Sequence, residues 1–93
     1  MIRSFADKLT ARVAEKERPK GFPADLVASA FRKLRYLDAA TRLDDLRSPP
    51  GNRLEALKGD RAGQHSIRVN DQWRICFVWK DDGADDVEIV DYH

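Results

Sequence analysis

The feature that most constrains the fold is a change of pattern at the segment Ser48-Pro49-Pro50-Gly51. Before this segment the apolar residues recur at helical spacing, and after it they alternate as in β-strands. Proline has a fixed φ and no backbone N–H, so the pair interrupts regular structure and enforces an irregular connection. We therefore expect one α+β domain over residues 1–93. It should combine an antiparallel sheet of about four to five strands with two N-terminal helices packed on one face.

Two helices are predicted before the proline pair. Residues 2–5 are strand-like, and Ser4 is the predicted cap of a first helix that has Asp7 in its first turn. A second, longer helix is expected to begin near Ala24. Its predicted buried stripe follows steps of three and four residues and consists of Val27, Ala30, Phe31, Leu34 and Leu37. A further helical turn is expected within residues 39–46.

The remainder of the chain predicts strands. A short strand is expected over residues 53–58, followed by a turn over 59–63, and Asn70-Asp71 suits a hairpin between the strands 65–69 and 73–79. Alternation directs one set of side chains toward the helices: Trp73, Ile75, Phe77 and Trp79. The opposite set is Arg74, Cys76 and Val78. A last strand is expected from Val87 to about Tyr92.

The composition excludes several classes of protein. With 42% hydrophobic and 35% charged residues, the chain is predicted to be soluble and globular with a heavily charged surface. No apolar run approaches the roughly 20 residues of a membrane helix, and the N-terminus lacks a secretory signal, so we expect a cytoplasmic protein without a membrane partner. The single cysteine, Cys76, argues against disulfides and a zinc site. Neither a cofactor nor a metal site is predicted.

Charge is unevenly distributed along the chain although the formal net charge is +1. Residues 47–74 contain six Lys or Arg against three acids, whereas residues 81–93 contain six acids and no Lys or Arg. A basic stretch of this kind suits a polyanion such as RNA. The alternative is that a mixed charged surface only keeps the domain soluble.

The predicted free face of the sheet collects groups suited to cleaving a phosphodiester. Alternation places Arg68 and Arg74 on the same exposed side, Lys58 arrives from the preceding strand, and the chain ends on Asp91-Tyr92-His93. RNA supplies its own nucleophile, because a base can take the 2′-hydroxyl proton while cations stabilise the charge on phosphorus and an acid protonates the 5′-oxygen. No metal ion is required for that reaction.

Each candidate also has a structural interpretation when it is considered alone. An imidazole exchanges protons near neutral pH, but a terminal His93 can simply point into water. Tyr92 can cover the edge of the core, and Arg74 can be an ordinary solvent-facing strand residue. Lys58 and Arg61 bracket a turn that is charged in many proteins.

Several segments of the chain carry a family pattern. They are Leu57-Lys58-Gly59-Asp60-Arg61-Ala62-Gly63, Ser66-Ile67-Arg68-Val69, Gln72-Trp73-Arg74-Ile75-Cys76-Phe77 and Glu88-Ile89-Val90-Asp91-Tyr92-His93, with Ile2-Arg3-Ser4-Phe5 and Leu37-Asp38-Ala39-Ala40-Thr41 before them. In this order they resemble the HigB-type killer proteins of bacterial toxin–antitoxin systems, within the RelE/ParE toxin superfamily. The resemblance implies a RelE-like ribonuclease that enters the ribosomal A site and cuts messenger RNA during translation. It also implies inhibition by a HigA-type helix-turn-helix antitoxin, through which alone the toxin would reach operator DNA.

The resemblance also implies roles for individual residues. The positions that match family functional positions are Lys58, Arg74, Asp91, Tyr92 and His93. His93 would be the acid or base, and Arg74 and Lys58 the phosphate-stabilising cations. The chain departs from the pattern at Glu55, where some family members have a histidine, so either Glu55 is the base or the activity is weaker. The predicted RNA-binding residues are Arg53, Glu55, Arg61 and Arg68.

Two other functions stay open, because the superfamily also contains gyrase-directed toxins on the same scaffold. The chain would then be a non-catalytic, toxin-like module that occupies the ribosome or gyrase, or a co-repressor that acts with its antitoxin. The Asp91-Tyr92-His93 ending favours the ribonuclease branch.

Overall fold

One four-stranded antiparallel sheet, in which each strand pairs with the next along the chain, organises the computed structural model, which describes residues 1–92. Its strands are β1 (Glu55–Ala56), β2 (His65–Arg68), β3 (Trp73–Lys80) and β4 (Gly83–Asp91). The two helices are α1 (Lys8–Ala14) and α2 (Val27–Ala39). Short 3₁₀ turns span Ala24–Leu26, Leu43–Arg47, Pro50–Asn52 and Gly59–Arg61. The predicted α+β class and antiparallel sheet are confirmed.

The start of α1 is set by a side-chain cap. Asp7 is in an extended conformation, and its Oδ1 accepts a hydrogen bond from the backbone N of Thr10 at 2.8 Å. The predicted cap at Ser4 is wrong, because Ser4 Oγ accepts instead from the backbone N of Asp86 at 2.8 Å. Ser4 therefore ties the N-terminal segment to β4.

The N-terminal segment runs beside β4 without forming a regular strand. Two isolated parallel bridges, Ile2 with Ala84 and Phe5 with Val87, hold it there. The predicted strand over residues 2–5 is therefore only partly realised, since no continuous ladder connects the two bridges.

The second helix follows the predicted stripe closely. Its buried residues are Val27, Ala30, Leu34 and Leu37, while Phe31 is half-buried. The predicted start near Ala24 is a 3₁₀ turn that leads into α2. The predicted turn before the prolines occurs at Leu43–Arg47 and buries Leu46.

The hydrophobic core lies between the helices and one face of the sheet. Ile67, Ile75 and Ile89 face one another across β2, β3 and β4 and are buried. The predicted inward-facing set of β3 is buried in this core or packs against it: Trp73, Ile75, Phe77 and Trp79. Within residues 1–92, no helix has the length and apolar character needed to span a membrane.

Two strands, β1 and β4, differ from the prediction by more than one residue. β1 covers only Glu55–Ala56, because Arg53 takes a left-handed conformation at φ 45° and the chain enters a 3₁₀ turn directly after Lys58. β4 begins at Gly83 rather than Val87, because its first residues already pair with the end of β3 across the turn. The longer β4 therefore pairs with β3 along its whole length, from Lys80 to Trp73.

Candidate functional site

The sheet face that points away from the helices, here called the free face, carries polar side chains in two adjacent rows. The first row, in order across the sheet from β1 to β4, is Glu55, Ser66, Cys76 and Glu88. The second row, from β2 to β4, is Arg68, Arg74 and Val90. The alternation of the strands therefore gathers two arginines and two carboxylates on one surface.

Arg74 occupies the middle of the free face and is only 8% exposed, which corrects the prediction of an exposed side chain. Its Nε donates to Ser66 Oγ at 2.8 Å, and its Nη2 donates to the carbonyl oxygen of Arg53 at 2.8 Å. The carboxylate of Glu55 lies 3.7 Å from Nη2. Burying a guanidinium is costly unless its N–H groups are paired, and these three partners pair Nε and Nη2. The orientation of the cation is consequently fixed.

Tyr92 lies beside this guanidinium. The Cζ of Arg74 is 5.7 Å from the centroid of the Tyr92 ring, within the range of a cation–π contact. The backbone N of Tyr92 donates to the carbonyl oxygen of Gln72 at 2.6 Å, although 41% of the residue is exposed. The sheet thus holds the chain end in place as far as Tyr92. His93, the predicted acid or base, lies outside the described residues.

Asp91 is directed away from the arginines. It lies opposite Trp73 in the ladder, and strand alternation therefore places it on the side of β4 that faces away from Arg74. Its Oδ2 accepts a hydrogen bond from Gln72 Nε2 at 3.1 Å. Its predicted action on His93 stays a prediction.

The first row ends in an ion pair above a buried thiol. Arg61 Nη1 donates to Glu88 Oε1 at 3.2 Å and to Gln64 Oε1 at 3.0 Å. Burial raises the pKa of the Cys76 thiol, so the thiol is protonated at neutral pH and is a poor nucleophile. Within residues 1–92, no group of three or more His, Cys, Asp or Glu side chains is placed to hold a metal ion.

The remaining predicted cations lie around the rim. Arg68 is directly opposite Arg74 in the ladder and forms an ion pair with Asp71. The side chains of Arg53 and Lys58 are exposed, and within residues 1–92 Lys58 forms no hydrogen bond or ion pair through its side chain. The prediction that Lys58 is carried by a strand is wrong, because β1 has already ended. The structure therefore brings Arg68 and Arg74 together on the sheet, whereas Lys58 follows the end of β1.

The buried side-chain amide of Asn52 holds the turn that precedes Arg53. Asn52 is fully buried, and its Nδ2 donates to the carbonyl oxygens of Leu46 and Ser48 at 3.2 Å each. Its Oδ1 accepts from Lys33 Nζ at 2.6 Å, and partial burial lowers the pKa of Lys33. These bonds fix the turn that leads into Arg53, whose carbonyl binds the guanidinium of the site.

Comparisons with known proteins identify the family and the fold of this chain. The family of HigB-like toxins, described as the RelE-like toxin of type II toxin-antitoxin system HigB, matches residues 3–93. Toxin HigB-1 of Vibrio cholerae is 45% identical over 82 residues, which are 87% of this chain and 86% of that protein. Endoribonuclease HigB of Proteus vulgaris is 37% identical over 93 residues, which are 100% of both chains. The YoeB-YefM complex from Staphylococcus aureus contains a chain that matches with a TM-score of 0.63 at 15% identity, covering 100% of this chain and 98% of that one. This last likeness concerns the fold alone and confirms the predicted RelE-like architecture.

Proposed function

Because this chain belongs to the HigB-like family of toxins of type II toxin–antitoxin systems, we propose that it is an endoribonuclease that cleaves messenger RNA on the ribosome. The observation that carries the proposal is the Arg74 guanidinium, oriented by fixed acceptors and covered by the Tyr92 ring on a polar sheet face. The name of the Proteus vulgaris relative, an endoribonuclease, supports it.

Arg74 is assigned the stabilisation of the transition state. Attack of a ribose 2′-oxygen on phosphorus adds negative charge to the phosphate oxygens, and a guanidinium that is already oriented stabilises that charge without rearranging. Within residues 1–92, Nη1 of Arg74 donates no hydrogen bond, so its N–H groups are not committed to a protein acceptor and would bind a phosphate oxygen. Lys58 would add a second cation from the rim, and the exposed Tyr92 ring would stack on a neighbouring base.

Proton transfer is assigned to His93. Its imidazole would take the 2′-hydroxyl proton or protonate the departing 5′-oxygen, with Asp91 as its orienting partner. The reaction breaks the bond between phosphorus and the 5′-oxygen and leaves a 2′,3′-cyclic phosphate and a free 5′-hydroxyl. Arg53, Arg61 and Arg68 would bind the flanking phosphates. Glu55 is paired with Arg74 and is assigned here as its counter-ion in the absence of RNA.

The partners proposed for this toxin are a HigA-type helix-turn-helix antitoxin, the ribosome and messenger RNA. Operator DNA would be bound only through the antitoxin, and the cytoplasm would be the site of action. The family assignment supports the antitoxin, because such toxins are components of type II toxin–antitoxin systems.

The proposal is tested by mapping cleavage on translating ribosomes with wild type, His93→Gln and His65→Gln. The chain has two histidines. His65 is the matched control, because it stacks on Phe77 on the helix-covered face at a centroid distance of 6.3 Å. We expect A-site cuts with 2′,3′-cyclic phosphate ends from wild type and His65→Gln. His93→Gln should cleave about 100-fold more slowly, the lower range for loss of a general acid or base.

Other outcomes would contradict the proposal. Wild-type protein that arrests growth without cutting messenger RNA would make it a non-catalytic toxin, and gyrase would then be the next target to assay. Undiminished cleavage by a folded His93→Gln variant would remove His93 from the mechanism while leaving the ribonuclease activity in place.

A further inference from the structure

Ser66 stands out among the residues of the free face because it is a fully buried hydroxyl with a charged partner. The residue is 0% exposed, and its Oγ accepts the Nε–H of Arg74 at 2.8 Å. In the ladder Ser66 is directly opposite Cys76, so Arg74 is its diagonal neighbour on the same face. Diagonal neighbours on a sheet face lie within reach of a long side chain.

The second acceptor fixes the plane of the guanidinium together with Ser66. The carbonyl oxygen of Arg53 accepts from Nη2 at 2.8 Å, and the left-handed backbone at Arg53 belongs to the turn held by Asn52. With one acceptor at Nε and another at Nη2, the guanidinium can neither rotate about its long axis nor swing toward the rim. Without the Ser66 hydroxyl, Nε–H would be buried without a partner, and the group would move toward water or toward the Glu55 carboxylate.

We infer that Ser66 is a positioning residue for RNA cleavage, which holds the Arg74 guanidinium in the orientation that stabilises the phosphorane. This role rests on the proposed ribonuclease function. It predicts an effect on the chemical step rather than on RNA binding, because the positive charge stays on the face when its orientation is lost.

The first experiment compares wild type, Ser66→Ala and Ser66→Thr in the ribosome-dependent cleavage assay, each also in an Arg74→Lys background. Ser66→Ala should lower kcat about tenfold with little change in KM, as expected for one hydrogen bond to a charged group. Ser66→Thr keeps the hydroxyl and should restore most of the rate. In the Arg74→Lys background, Ser66→Ala should change kcat less than about twofold, because lysine has no Nε–H at that place.

The matched control removes a buried hydroxyl from the other side of the sheet. Thr10 is also 0% exposed, and its Oγ1 accepts from the backbone N of Ile89 at 2.9 Å. Thr10→Val should lower thermal stability and leave kcat unchanged for the folded protein. A tenfold fall in kcat for both Thr10→Val and Ser66→Ala would overturn the inference, because general loosening of the sheet would then explain the loss.

A second readout needs no cleavage and remains informative if the proposed function fails. The ¹⁵N-labelled Nε–H of Arg74 should exchange with water at least about tenfold more slowly than that of exposed arginines in wild type and in Ser66→Thr, and this protection should be lost in Ser66→Ala. If wild type cleaves no RNA, the proposed function fails, and the positioning of Arg74 is still judged by this signal. Unchanged protection in Ser66→Ala, unchanged kcat, or an additive loss in the Arg74→Lys background each overturns the inference.

Discussion

The two faces of the sheet bury neighbouring residues of the same strand by different means. On the helix-covered face, Ile75 and Phe77 are 0% exposed within an apolar cluster. On the free face, Arg74 and Cys76 are 8% and 0% exposed, yet within residues 1–92 neither α1 nor α2 packs on this side, and two hydrogen bonds and an ion pair hold the arginine. Burial on one face thus comes from packing, and on the other from a polar network.

The two faces differ in what burial contributes to the free energy of folding. Apolar side chains on the covered face stabilise the fold because they are removed from water, and other apolar side chains of similar volume can replace them. Arg74 gains little from burial, because desolvation of the cation offsets the interactions that pair it. We therefore propose that this buried cation is retained because it binds a ligand, a phosphodiester.

The largest expected effect is on stability, and it compares one residue of each face at adjacent positions of β3. Phe77→Ala should lower the free energy of unfolding by about 3–5 kcal/mol, because a large cavity opens in the core. Cys76→Ala, one residue earlier and also fully buried, should cost on the order of 1 kcal/mol, because only a thiol is removed. Urea unfolding of both variants measures the contrast. Equal losses would show that the free face is packed as tightly as the core.

The next effect is on catalysis and should leave most of the stability intact. Arg74→Lys keeps the charge but loses the fork of N–H donors, so we expect cleavage about 100-fold slower, similar to the loss of one oriented donor in other enzymes. The free energy of unfolding should fall by only about 1–2 kcal/mol, because Ser66 and Arg53 lose a hydrogen-bond donor. Arg12→Lys, at an exposed position in α1, is the matched control and should behave as wild type. Wild-type cleavage by Arg74→Lys would show that charge alone suffices.

The covered face could be predicted from the sequence because alternation and helical spacing are local properties. The inward set of β3 and the stripe of α2 needed only the period of apolar residues, and both are confirmed. The boundaries were less accessible. Asp7 rather than Ser4 caps α1, and β1 is cut short by a left-handed residue at Arg53, which no apolar pattern marks. The N-terminal segment is fixed by contacts with β4, which are distant in sequence.

The sequence predicted which residues belong to the candidate site better than it predicted their burial and their partners. Alternation correctly placed Arg68 and Arg74 side by side, but it also predicted that Arg74 would be exposed. Nothing in the sequence marks Ser66 as a partner of Arg74, because a small polar residue in a strand is also common at a solvated position. The acceptor at Arg53 is a backbone carbonyl aimed by a turn, so its role depends on φ and ψ rather than on the side chain.

The smallest expected effect concerns Glu55, whose carboxylate places a negative charge beside Arg74 on the free face. Glu55 is half-exposed and lies 3.7 Å from Arg74 Nη2, so the ion pair contributes about 0.2–1 kcal/mol at most. A phosphate that binds Arg74 must displace this carboxylate or approach against its charge. Glu55→Gln should therefore strengthen binding of a non-cleavable RNA by up to about fivefold, with the rate of cleavage nearly unchanged.

Gel-shift titration at two salt concentrations and single-turnover cleavage measure the two quantities separately. Asp44→Asn is the matched control, because Asp44 is also an exposed carboxylate paired with an arginine, Arg47, that has no role in the proposed site. That variant should alter binding less, since Arg74 keeps its own counter-ion. If Glu55→Gln instead slows cleavage by about 100-fold while binding is preserved, Glu55 is the general base, and the free face contains both the cation and the proton acceptor of the reaction.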